Sequence, residues 1–268
     1  MPDLYLRIAE QPDDVLEQIA RAMDKRAAEP AMQRIAARYL GALERRCGQL
    51  LEIGCGNGAS TGLLLEHLEP TRFVGIDPST GLIDRAKRTH GARPCVTFEV
   101  ADAIATGQPD AAFDAVVAHT VFSHLADPEG ALAEAYRVLR PGGRLAVFDG
   151  DYATNTVALF DGDPLQAAMT LAQRNLIHDP YIMRRLAGLA RKAGFTVRGI
   201  EAHGYVQTER PDYLLSLLAR GTAAAVRSGE CGPDLALGLE REAERRVAEG
   251  SFYGAILFVS LIAEKPDA

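Results

Sequence analysis

Apolar residues along the chain change their period several times, and the changes divide it. Over residues 1–47 they recur three and four apart, with Val15, Leu16, Ile19 and Met23 in one stretch and Met32, Ile35, Ala36, Tyr39, Leu40 and Leu43 in the next. That spacing predicts two amphipathic helices, the second opening at Pro30, where a missing N–H does no harm. They are expected to pack on a sheet edge; the alternative is a lid in which Tyr5 or the 21–26 region folds over a ligand. From residue 50 the pattern becomes short apolar runs that each carry a polar side chain at or next to the end: Leu50-Leu51-Glu52-Ile53, Phe73-Val74-Gly75-Ile76-Asp77, a run from Val96 to Asp102, one from Phe113 to His119, and Leu145-Ala146-Val147-Phe148-Asp149. Such runs suit buried parallel strands, and helical stretches at 60–68, 81–88 and 128–139 complete a βα alternation. Ligands of open parallel sheets sit beyond the carboxyl ends of the strands, so Glu52, Asp77, Asp102 and His119 are expected around one cleft.

After residue 150 the alternation breaks. Helices are expected at 164–176 and 180–192, a strand at 194–201, helical structure over 211–249 and a last apolar strand at 252–263. The segments at about 150–192 and 211–249 are too long for ordinary connections and read as two helical insertions, placed where lids and substrate walls occur. The expected organisation is an N-terminal helical segment, 1–47, followed by one α/β core, 48–268.

Composition narrows the classes. With 36 acidic and 29 basic residues the formal net charge is −7, which argues against a broad surface for nucleic acid or an anionic membrane. Cys47, Cys55, Cys95 and Cys231 are scattered without C-x-x-C spacing, so neither a metal site nor a disulfide framework is expected. The start, Met1-Pro2-Asp3-Leu4-Tyr5, has no basic-then-apolar pattern, and no long apolar run follows. A cytoplasmic protein with no membrane partner is the expectation; the oligomeric state is left open.

The chemistry gathers at Glu52-Ile53-Gly54-Cys55-Gly56-Asn57-Gly58. Glycines at alternate positions let a strand turn sharply and bring its backbone against a ligand, and Ser60 and Thr61 are candidate caps for a helix whose free N–H groups face the same space. Asp77 follows the turn by about 20 residues, where a βαβ unit places an acid on ribose hydroxyls; a cap for the next helix is the other reading. Glu52 discriminates among cofactors. An acid at this point repels a pyrophosphate and suits an ammonium group, directly or through water. Ala59 also completes a G-x-G-x-x-A pattern, which keeps a nicotinamide oxidoreductase as an alternative.

Taken in order, these residues resemble the class I S-adenosylmethionine-dependent methyltransferases. Glu52 to Gly58 is similar to the family's E/D-x-G-x-G-x-G motif, Val74-Gly75-Ile76-Asp77 to its second motif, Ala101-Asp102-Ala103 to its third, and Phe113-Asp114-Ala115-Val116-Val117 to its fourth. Arg137-Val138-Leu139-Arg140-Pro141-Gly142-Gly143 matches the element before its fifth strand. The resemblance is closest to the small-molecule branch that includes ubiquinone/menaquinone-type methyltransferases. It implies a Rossmann-like, seven-stranded, mostly parallel sheet with an antiparallel C-terminal hairpin, and S-adenosylmethionine as cofactor. By the same resemblance the turn with Gly54, Cys55 and Gly56 approaches the methionine part, Asp77 binds the ribose, Pro78 or Ser79 flanks the adenine, Asp102 and Ala103 meet the adenine edge, and His119 lines the methionine or acceptor space.

The implied reaction moves a methyl group to O, N or C of a small organic molecule; cyclisation or another non-methylating use of the sulfonium is the alternative. If the acceptor must lose a proton, His119 is the candidate base, with plain contact as its other role. His124 is expected to pack or cap. Tyr5, Asp151, His178 and Tyr181 are candidates for facing the acceptor, although Asp149 and Asp151 equally suit a turn around Gly150.

Overall fold

A computed structural model describes residues 3–43 and 47–267. Seven strands form one sheet in the order β3-β2-β1-β4-β5-β7-β6. β1 (Gln49–Ile53), β2 (Arg72–Asp77), β3 (Val96–Val100), β4 (Phe113–His119) and β5 (Leu139–Thr156) run parallel, while β7 (Gly254–Glu264) lies antiparallel between β5 and β6 (Thr196–Gln207). The order reverses between β1 and β4, so a crevice opens beyond the carboxyl ends of those two strands.

Side chains of β1 alternate between two cores. Leu50 joins a cluster with Phe73, Val117 and Phe148, covered by α2 (Pro30–Leu40), α3 (Thr61–Leu68) and α4 (Thr80–His90). Leu51 and Ile53 face the other layer, where α5 (Pro128–Val138) and α7 (Ile182–Lys192) contribute Leu132, Ala135, Ile182 and Leu186. Burial on both faces explains why these strands read as continuous apolar runs.

The remaining helices lie over the strand ends. A 3-10 turn, Leu4–Glu10, and α1 (Asp13–Ala27) make a small core of their own, in which Ile8, Leu16 and Ile19 meet Leu82 of α4. α6 (Pro164–Leu176) packs on α8 (Asp212–Ser228) and α9 (Pro233–Ala248). The α6–α8 approach is close: a Cβ on Gly221 would stand 2.1 Å from that of Ala172.

Several expectations are revised. α2 lies on the sheet face beside α3 instead of on an edge, and α1 packs against α2, α4 and α8; residues 1, 2 and 44–46 of that segment fall outside the described residues. Of the expected 150–192 insertion, α7 covers the sheet as a regular crossover helix, and α6 alone is additional. β5 extends far beyond residue 149 because its antiparallel ladder with β7 continues to Thr156 opposite Ala255. β3 stops at Val100, since Asp102 leaves the sheet to bridge with Ala105. Among the described residues no helix is long and apolar enough to cross a membrane.

Candidate functional site

The glycine turn follows β1 as expected. Gly54 and Gly56 have φ of +68° and +54°, a region that side chains with a Cβ rarely adopt. They are also crowded, for a Cβ on Gly54 would lie 2.5 Å from Val121 and one on Gly56 2.9 Å from the Met23 sulfur. A cavity of about 130 Å³ opens beside the turn. Gly54, Cys55, Asp77, Pro78, Asp102, Ala103 and His119 all line it, so the carboxyl ends of β1, β2 and β4 converge there.

Asp77 ties the turn to β2. One carboxylate oxygen accepts from the Gly56 N–H at 3.0 Å and the other from the Ser79 N–H at 2.9 Å, while the Ser79 hydroxyl accepts from Leu82 N–H and caps α4. The capping alternative for Asp77 therefore falls to Ser79. Burial pushes the Asp77 carboxyl up to about 6, against those two N–H groups. Asp102 accepts from the Ile104 N–H at 3.0 Å through one oxygen.

Glu52 stands behind the cavity wall. Alternation along β1 turns it to the α3 side, where it accepts from the Ser60 and Thr61 hydroxyls, each at 2.6 Å. Ser60 lines the cavity and Glu52 does not, so any approach to an ammonium group runs through Ser60. Neither hydroxyl caps α3; both are turned to the acid. With no exposed surface, the Glu52 carboxyl is pushed up to about 7, chiefly by burial.

His119 sits at the end of β4 with Nδ1 2.7 Å from the Tyr39 hydroxyl and its ring 4.8 Å from that of Phe148. Burial and the nearby Arg26 charge hold it down to about 3, so the ring is neutral at physiological pH. Burial drives the Tyr39 hydroxyl well above its ordinary value; it stays protonated and donates to Nδ1, which leaves the ring proton on Nε2. A base this weak is poorly matched to proton abstraction near neutrality.

The N-terminal segment supplies the remaining wall. Tyr5, Met23 and Arg26 line the cavity, and Arg26 donates to the Thr120 hydroxyl at 2.6 Å. Thr120 is itself unusual, a β-branched residue at φ +59° held by its N–H to the Phe148 carbonyl. Asp3, almost fully buried, ties that segment down: it accepts from the Tyr5 N–H, the His178 N–H and the His124 imidazole. His124 does pack, with its ring centre 4.3 Å from that of Tyr5, and it faces the cavity as well.

A second cavity, of about 500 Å³, adjoins the first and shares Tyr5, Met23, Arg26 and His124 with it. One face of α8 borders it through Tyr213, Ser216, Leu217 and Arg220, and the end of α6 adds Leu176. Tyr5 is thus placed between the cavities, but Asp151, His178 and Tyr181 line neither. The extended β5 carries Asp151 into the ladder opposite Leu257, where both its oxygens take the Arg184 Nε–H at 2.9 and 3.0 Å. Tyr181 is exposed under the Arg184 guanidinium, and the backbone of His178 is held by Asp3. No turn forms around Gly150: Asp149 and Gly150 stand in the β5 ladder opposite Val259 and Phe258, and Asp149 accepts from the N–H and hydroxyl of Ser123 and from the Gly150 N–H.

Residues 51–147 match a family model described as a methyltransferase domain. An uncharacterized 37.1 kDa protein in transposon TN4556 of Streptomyces fradiae is 32% identical over 246 residues, covering 90% of this chain and 70% of the relative. The 27-O-demethylrifamycin SV methyltransferase of Amycolatopsis mediterranei is 40% identical over 125 residues, 45% of this chain and 46% of that enzyme, so the chain spans about half of that relative. Among solved structures, the cyclase SpnF superposes with a TM-score of 0.56 at 22% identity, covering 88% of this chain and 82% of that one, a likeness of fold. The sheet order, the glycine turn with its downstream acids and these matches agree: the chain belongs to the class I S-adenosylmethionine-dependent methyltransferases.

Proposed function

We propose that the protein transfers the methyl group of S-adenosylmethionine to O, N or C of a small organic molecule held in the larger cavity, and that it does so in the cytoplasm. The observation that carries this reading is the common wall of the two cavities: Tyr5, Met23, Arg26 and His124 border both, beside the His119 end of the cofactor space. The rifamycin relative, which by name methylates a small molecule, supports the acceptor class.

The donor set fits the cofactor. Each Asp77 oxygen accepts a single N–H and keeps a lone pair for a ribose hydroxyl, and Asp102 has an oxygen free for an adenine amino group. Glu52, through Ser60, provides negative charge for the methionine ammonium, and the crowded Gly54 to Gly58 turn admits no side chain that would block the methionine chain. When bound, the sulfonium supplies an activated methyl carbon. The chain's own work is positioning: Asp77 and Asp102 fix the adenosine, while Met23, Arg26 and the Tyr5–His124 stack close the space against water. Holding acceptor and methyl carbon in line supplies up to about 7–11 kcal/mol of barrier lowering. His119, neutral and anchored by Tyr39, serves to orient ligands, and an acceptor proton leaves by another route.

Calorimetry with S-adenosylmethionine and its demethylated product tests the reading. Both should bind, and Asp77→Asn should weaken binding about ten- to hundredfold, corresponding to roughly 1.5–3 kcal/mol for hydrogen bonds to a charged group. Absence of binding at high micromolar ligand would refute it.

A further inference from the structure

The larger cavity is bordered by Lys25, Arg26, Arg210 and Arg220, against the acids Glu29 and Asp212. In a chain of formal charge −7 this is a local reversal of sign. One acid is already engaged, since Glu29 accepts from the Tyr205 hydroxyl and, at 2.6 Å, from the Gln207 amide. Among the described residues no ion pair joins a carboxylate to Arg26, Arg210 or Arg220.

Position adds to charge. Tyr213, Ser216, Leu217 and Arg220 are spaced by three, four and seven along α8, so Arg220 enters the chamber from the same face as the apolar wall. Its guanidinium carbon is 5.9 Å from the centre of the Tyr5 ring, which also borders the smaller cavity. Arg210 precedes α8, and its carbonyl accepts from the Gln207 amide that holds Glu29, so the segment is fixed. Guanidinium groups beside an apolar, tyrosine-rich wall are weakly hydrated planar donors, and a carboxylate meets them with paired charge-assisted hydrogen bonds.

We infer that the methyl acceptor is a small organic carboxylate with an apolar body. The inference rests on the larger cavity being the acceptor site. Arg210 and Arg220 hold the carboxylate, the body lies against Leu176, Leu217 and Tyr213, and the methyl-accepting atom points to the Arg26 and His124 side where the cavities join. Arg26, already hydrogen-bonded to Thr120, faces both spaces. A cationic acceptor is repelled by the same set.

Three probes with one skeleton separate the possibilities: 3-(4-hydroxyphenyl)propanoate, its primary amide, and the corresponding propylamine. Calorimetry is run with and without saturating S-adenosylhomocysteine, on the native protein and on the Arg210→Gln/Arg220→Gln double variant. The native protein should bind the carboxylate about tenfold or more tightly than the amide, with the amine weakest. The double variant should bring carboxylate and amide to similar affinity while its S-adenosylhomocysteine affinity, which also reports its folding, is unchanged. The inference is overturned if the carboxylate does not bind, if amide or amine equals it in the native protein, or if the preference survives in the variant. Failure of S-adenosylhomocysteine to bind the native protein counts instead against the methyltransferase reading; the ranking of the three probes still decides the acceptor's charge.

Discussion

Two carboxyls carry the pH behaviour of the cofactor site. Burial holds Asp77 up at about 6 and Glu52 at about 7, above their unfolded values of roughly 4. Between about pH 4 and pH 7 the free folded protein therefore binds more protons than the unfolded chain, and its stability declines as pH rises through that window. In the proposed cofactor arrangement, ribose hydroxyls on Asp77 and a cationic ligand near Glu52 favour the ionised forms. Affinity for S-adenosylmethionine should thus rise with pH up to about 7, with protons released on binding; calorimetry in buffers of different ionisation enthalpy reads the release, and affinity that is flat or falls with pH contradicts it. Glu52→Gln should remove the upper part of the dependence. These acids were legible in the sequence because strand, turn and acid are contiguous or a fixed unit apart. Asp3 and Tyr39 were not, as a site residue meets each of them across 121 and 80 positions respectively, and Arg26 was legible only as part of the 21–26 region, its partner Thr120 lying 94 positions away. No local period encodes such pairings.

Among the elements, α6 and α9 depend on one buried ion pair. Arg246 reaches both oxygens of Asp163 at 2.7 and 2.9 Å, with the two side chains 4% and 0% exposed. Asp163 also accepts from the Leu159 and Leu165 N–H groups at the start of α6. Burial alone raises its carboxyl, but Arg246 and those N–H groups hold it below the ordinary range. Arg246→Ala leaves a buried charge without its partner and should destabilise by about 3–5 kcal/mol in urea unfolding. Its neighbour Arg245, itself exposed and paired with half-buried Glu242 and exposed Glu249, should lose less than about 1 kcal/mol on the same change. Equal losses at the two positions would undo this account. The sequence reading placed α6 at 164–176 and helical structure over 211–249, yet it did not divide the latter into α8 and α9, and it stopped β5 short. Asp149, Asp151 and Asn155 interrupt the apolar run, and the strand's length is set by its ladder with β7, a partner about a hundred residues away.

The whole molecule divides into a rigid sheet and a helical cover drawn from both ends of the chain. Strands β1, β2 and β4 hold the cofactor side, and the N-terminal turn with α1 covers it through Asp3, Met23 and Arg26. Bound cofactor adds contacts to that cover and few to the sheet core. Hydrogen exchange over residues 4–27 should therefore slow by about tenfold or more in saturating S-adenosylhomocysteine, while β1 and β4 change little; uniform slowing across the chain would contradict a separate cover. The ordered motifs of residues 50–149 made the sheet readable in advance. The cover was readable only as amphipathic helices, because where they dock depends on Leu82 and on α8, which the N-terminal pattern does not name.

The four side chains common to the two cavities have a kinetic meaning. With Tyr5, Met23 and Arg26 of the N-terminal segment and His124 of the turn after β4 lining both cavities, ligands held in the two would exchange past one set of groups. If exchange requires the N-terminal segment to open, their departures would be linked in time and the interval between turnovers would follow that opening. Changes in α1 far from the methyl group would accordingly alter turnover while leaving the affinity of each ligand, measured singly, nearly untouched.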